Sequence, residues 1–168
     1  MKKEYLAHTS EDGRKQTVLA HLEGTAALCE EFASAFGAGP EGRLAGLAHD
    51  LGKYTDAFQK RLLENGPRVD HASAGAFECL RLGQVYASIA AAGHHVGLPD
   101  GGTDGDSPDD KTYWAHINRV HKGKVQNYDF WHTEITLPQL PPSEMPQSQA
   151  EAMFFTRMLY SCLVDADF

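Results

Sequence analysis

The sequence predicts an all-α protein. Three observations carry that expectation. Apolar residues recur at three- and four-residue spacing in segment after segment, the breaks between segments fall on Gly and Pro, and no stretch alternates convincingly like a strand. At 168 residues with 42% hydrophobic content, the chain suits one domain around one core.

The elements follow in order. Residues 16–36, "QTVLAHLEGTAALCEEFASAF", place Val18, Leu22, Cys29, Phe32 and Phe36 at helical spacing, and Gly37 and Gly39 end the run. Pro40 opens a second helix, "EGRLAGLAHDL", ending at Gly52. Thr55 caps a third, "YTDAFQKRLLEN", which Gly66-Pro67 stops. Asp70 caps a fourth, "HASAGAFECLRL". A fifth, "QVYASIAAAGHH", is rich in small residues, as closely packed helices are, and ends near Gly97. "LPDGGTDGDSPDD" reads as a surface loop and "KTYWAHINRVHK" as helix, while residues 123–146 hold too much Pro and too little pattern to assign. The last helix, "SQAEAMFFTRMLYSCLVDADF", sets Phe154, Met158, Ser161 and Asp165 on one face. It stops without Gly, Pro or tail, so residues 1–168 are expected to be a single domain cut from the N-terminal part of a longer protein.

Composition narrows the function. Cys29, Cys79 and Cys162 form no CxxC and suit buried thiols in a reducing cytoplasm. There is no signal peptide and no membrane-spanning run. With 15 basic against 23 acidic residues the net charge is −8, which argues against a simple nucleic-acid-coating domain but not against an enzyme that meets phosphates through bound cations. Nine histidines are the feature that needs explaining.

His49 and Asp50 adjoin at the end of an apolar helix, whose carbonyl end favours a cation. A carboxylate has two oxygens and can bridge two ions; an imidazole binds one. Taken alone, the pair is more simply a polar helix end. His94 and His95 follow an Ala-rich, buried-looking segment, where two unpartnered imidazoles would each cost about 1–3 kcal/mol. His71 opens the fourth helix behind Asp70, which is read as cap rather than ligand. His21 borders the apolar seam of the first helix, where a hydrogen-bonded core histidine is the plainer explanation. Asp165 shares a face with Phe154 and Met158, and an aspartate there is rarely buried unless paired or metal-bound; Asp167 is the weaker candidate. His8, His116, His121 and His132 read as surface residues. Together His21, His49, Asp50, His71, His94, His95 and Asp165 are too many ligands for one ion and suit two, joined by Asp50. An imidazole-rich set favours Mn, Fe, Co, Ni or Zn over Mg.

The order of motifs — a lone early His, "HDLGKYTDAFQ", "VDHASAGA", "GHHVGLPD" and a late Asp in "SCLVDADF" — resembles the HD superfamily of metal-dependent phosphohydrolases. Within it, the chain looks like the HD nuclease domain of the CRISPR-associated nuclease–helicase of type I interference systems. The resemblance implies a helical bundle with a two-metal site between core helices. It implies a first metal on His21, His49, Asp50 and Asp165, and a second on Asp50, His71, His94 and His95. Asp50 and Lys53 take the catalytic roles, Lys53 by stabilising phosphate charge. Implied partners are single-stranded DNA, a superfamily 2 helicase absent from this chain, and an RNA-guided surveillance complex as recruiter. The family motif continues beyond "DADF", so the helix holding Asp165 is expected to be weakly anchored.

No Ser or Cys nucleophile is well placed in these motifs, so water activated between two cations is the expected nucleophile. Arg14, Lys15, Lys60, Arg61, Arg119, Lys122 and Lys124 could line a DNA path, with Tyr113 or Trp114 stacking bases, but no dense basic run is present. Two rivals remain: a phosphohydrolase of nucleotides or cyclic dinucleotides, with a closed Arg/Lys-lined pocket, and a metal-binding regulatory module without turnover.

Overall fold

The Thr17 hydroxyl accepts from the Ala20 amide at 3.1 Å and so starts α1, Val18–Ser34. The structure is a computed structural model and describes residues 3–10, 12–144 and 146–168. α1 buries Val18, Leu22, Ala26, Cys29 and Ala33 and packs mainly on α2, Gly39–Ala48. Phe32 is not part of that face; it is 38% exposed.

α2 ends earlier than the sequence suggests. Its ladder closes at Ala48, and a 3-10 turn at Leu51–Tyr54 follows, so His49 and Asp50 sit in a bend between two helical pieces. Thr55 caps α3, Asp56–Glu64, accepting from the Phe58 amide at 3.2 Å. Left-handed Asn65 ends it, one residue before Gly66. The Asp70 carboxylate accepts from the Ala72 and Ser73 amides at 3.1 and 3.0 Å, capping α4, Ala72–Arg81. α5 (Val85–Gly93) lies between α4 and α7 (Gln149–Asp167), and α6 (Tyr113–His121) covers α4. Cys29, Cys79 and Cys162 are free and buried.

The helical architecture stands, with three further differences. A short antiparallel hairpin precedes α1: β1, Leu6–Thr9, pairs with β2, Lys15–Thr17. The Asp12-Gly13 pair in its turn, with Gly13 at φ 85°, is the signal that the short strands obscured. The unassigned stretch 123–146 carries a 3-10 turn, Asp129–Thr133, and sends Tyr128, Trp131, Ile135 and Leu137 into the core. Finally, α7 is rotated from the expected register. Its buried side is Leu159, Cys162, Leu163 and Ala166, while Phe154 is 64% exposed and Ser161 and Asp165 face solvent. Among the described residues no helix is long and apolar enough to cross a membrane.

Two glycines let α4 press on the His49–Asp50 bend. A Cβ on Gly75 would strike the Ala48 carbonyl, and one on Gly52 would strike the His71 backbone. Gly52 instead donates its amide to the His71 carbonyl at 3.2 Å. Gly75→Ala is therefore expected to cost about 1–3 kcal/mol by overpacking. Gly24→Ala, with open space around its Cβ inside α1, should instead gain about 0.5–1 kcal/mol. Urea unfolding midpoints of the two variants, moving in opposite directions, check this.

Candidate metal centre

Four helical termini deliver side chains to one point. His49 and Asp50 come from the α2 bend, His71 from the start of α4, His94 and His95 from the end of α5, and His21 from the first turns of α1. Ring orientation is set by main-chain carbonyls. His49 Nδ1 donates to Gly46 O at 2.8 Å, His94 Nδ1 to Ala91 O at 2.7 Å, and His71 Nδ1 to Val69 O at 3.2 Å. A carbonyl can only accept, so in each ring the proton sits on Nδ1. The Nε2 lone pair then points inward, the arrangement that second-shell partners impose on metal-binding histidines.

Asp50 is fully buried, and its two oxygens face different groups. Oδ2 lies 3.0 Å from His21 Nε2, 3.3 Å from His49 Nε2 and 2.6 Å from Lys53 Nζ. Oδ1 lies 3.2 Å from His94 Nε2 and 3.4 Å from His71 Nε2. Two ligand sets result, each with its donor atoms within 4.8 Å of one another: His21, His49, Asp50 and Asp167, and Asp50, His71, His94 and His95. Lys53 is 3% exposed and is anchored by Asp50 and by His8 Nε2 at 3.1 Å.

The donor chemistry fits a divalent cation. Acceptor atoms crowd one another: His71 Nε2 is 2.6 Å from His95 Nε2, and His49 Nε2 is 3.2 Å from both His21 Nε2 and Asp167 Oδ1. Lone pairs aimed together at such distances need a proton or a cation between them. The electrostatics say the same. Burial opposes protonation of His49, but Asp50 and Asp167 outweigh it and lift its pKa to about 9. Burial also penalises charge on Asp50 and Asp167, yet the histidines facing them hold both carboxyls well below the usual range. His95 moves the other way, to about 4, through partial desolvation of its ring and its histidine neighbours, and burial lowers His71.

The assignment of Asp165 is corrected. It is exposed and outside both sets, and Asp167 reaches His49 and His21 at 3.2 Å. Residues two apart on a helix lie about 200° apart, so the rotation of α7 that buries Leu159, Leu163 and Ala166 turns Asp167 inward. The register defined by those apolar residues was the available signal. Two histidines read as surface residues are not isolated. His8 holds Lys53 and meets the His21 ring at 4.9 Å, and His116 is buried against the Ser73 hydroxyl at 2.8 Å. Of the suggested DNA path, Tyr113 is buried with its hydroxyl on Ser88, and Arg119 is engaged by Asp70 and by the Pro108 and Asp110 carbonyls.

Metal content separates the two aspartates: Asp167→Ala should lower bound metal after gel filtration, and Asp165→Ala should retain it. In EDTA-stripped protein the His49 contribution to stability is full below about pH 6.5 and lost toward pH 9. The His95 contribution has the opposite sign, being full above about pH 6.5 and lost toward pH 4, where the depressed carboxylates also begin to fail. Tm should therefore peak near pH 6.5 and fall on both sides, which a thermal-melt series checks.

Comparison with curated proteins returns no match. The family model described as HD domain matches residues 18–135, a span that carries His21, His49, Asp50, His71, His94 and His95. HD domains are typically metal-dependent phosphohydrolases, and the buried His/Asp clusters are consistent with divalent-metal binding. The chain belongs to the HD domain family.

Proposed function

We propose that this HD domain is a metal-dependent nuclease that hydrolyses phosphodiester bonds of single-stranded DNA in CRISPR interference. The observation that carries the reading is Asp50, one buried carboxylate with an oxygen turned to each of two histidine sets. His21, His49, Asp50 and Asp167 would hold one ion and Asp50, His71, His94 and His95 a second, with Asp50 common to both sets. Imidazole-rich sets favour Mn, Fe, Co, Ni or Zn over Mg. When bound, such a pair supplies Lewis-acid charge and water activation to a phosphodiester.

The chain's own groups do the rest. Backbone carbonyls hold the rings so that Nε2 faces inward. Lys53 fixes the Asp50 carboxylate at 2.6 Å and adds a positive charge where phosphate oxygens would gather. Ser73 is fully buried, its hydroxyl engaged by Asp70 and His116, which favours water over this side chain as the nucleophile. His95 is exposed and His71 half-buried, so the second set opens to solvent, which supports a polymeric substrate. The acidic balance favours delivery of the strand by a helicase and an RNA-guided complex rather than capture by this domain alone. It also gives the nucleotide or cyclic-dinucleotide reading its support.

Metal-stripped protein incubated with circular single-stranded DNA should cut when Mn, Co, Ni or Fe is restored, and Asp50→Ala should not cut. Release of phosphate or mononucleotides from nucleotides or cyclic dinucleotides, with intact DNA circles, would replace the nuclease with the small-molecule hydrolase.

A further inference from the structure

Beside the second histidine set a cavity of about 270 Å³ opens between the start of α4, the end of α5 and α6. His71 and His95 form its inner wall, so it is continuous with the candidate metal centre. Val69 and Val96 line the cavity, and Val96 is 81% exposed, a large apolar side chain held in water next to His95. Arg119 also lines it, but that guanidinium is occupied by Asp70 and two loop carbonyls and serves as scaffold. Arg68, exposed at the same cavity, has no ion-pair or hydrogen-bond partner among the described residues. Among the described residues Asp70 is the only carboxylate lining it, so the cavity carries a net positive charge in a chain of net charge −8.

We propose that this cavity seats the nucleoside unit flanking the scissile phosphodiester, its base against Val69, Val96 and the His95 ring and its neighbouring phosphate on Arg68. The inference rests on the nuclease reading. An apolar surface beside an imidazole face offers a flat base a place to stack, without reading its edges. An unpaired guanidinium next to it supplies the charge a phosphate needs. The volume lies just below the usual small-ligand range and suits one nucleoside rather than a folded strand.

The test compares two substrates under the restored metal that supports cleavage. A mixed-sequence single-stranded oligonucleotide carries bases and flanking phosphates; bis(p-nitrophenyl) phosphate carries a scissile diester and neither. Val96→Ser and Arg68→Gln remove exposed groups and leave the core untouched, and Arg43→Gln removes one exposed charge from α2 as control. For Val96→Ser and Arg68→Gln, kcat/KM on the oligonucleotide should fall about tenfold further than on the small diester, mostly through KM. Arg43→Gln should show no such split. Equal losses on both substrates, or no loss on the oligonucleotide, would overturn the subsite and leave the nuclease standing. Wild-type protein that hydrolyses the small diester but never the oligonucleotide would overturn the nuclease reading itself, and the subsite with it.

Discussion

Everything in this molecule converges on the buried carboxylate of Asp50. It has no solvent exposure, yet it is held strongly anionic by four imidazoles and one ammonium. A lone charge in that position would cost several kcal/mol, and removing one partner of a buried pair typically costs about 3–5 kcal/mol. The surrounding helices are therefore arranged around a charge that must be matched from every side. No single helix can do this, because its residues diverge by 100° per step. The partners come instead from helix ends and bends, where chain direction changes and side chains from different elements can meet.

Close backbone approach makes the convergence possible. Gly75 and Gly52 remove the side chains that would keep α4 from the His49–Asp50 bend, and the alanines of α5 let it lie between α4 and α7. The rings are then oriented by carbonyls one helical turn back, at Gly46 and Ala91. The same contacts thus stabilise the fold and fix which nitrogen faces the centre. Stability and site geometry are coupled through main-chain atoms, which substitution cannot remove directly.

The local electrostatics divide the site in two. Around His21, His49 and Asp167 two carboxylates draw positive charge, and His49 binds a proton up to about pH 9. Around His71 and His95 burial and neighbouring imidazoles keep the rings neutral, ready to donate lone pairs. One half is buried apart from Asp167 at the end of α7; the other opens beside Arg68 and Val96. The open half is the side from which an anionic substrate can arrive in an otherwise acidic protein.

The sequence by itself determined the helices, their caps and the residue types of the centre. Helical periodicity, Thr55 and Asp70 as caps, and the pairing of His with Asp or His are local properties, written in neighbouring residues. The tertiary structure decided what periodicity leaves open. The angle of α7 depends on which of two overlapping apolar stripes finds a partner; Leu159, Leu163 and Ala166 win against α1, α2 and α5, and Asp167 replaces Asp165 at the centre. His8 enters because a hairpin too short to show alternation folds back on Lys53. Tyr113 and Arg119, plausible DNA contacts as isolated side chains, are taken up by Ser88 and Asp70. Each of these outcomes is set by competition among distant partners for one position in space, and spacing along a chain carries no record of who wins it.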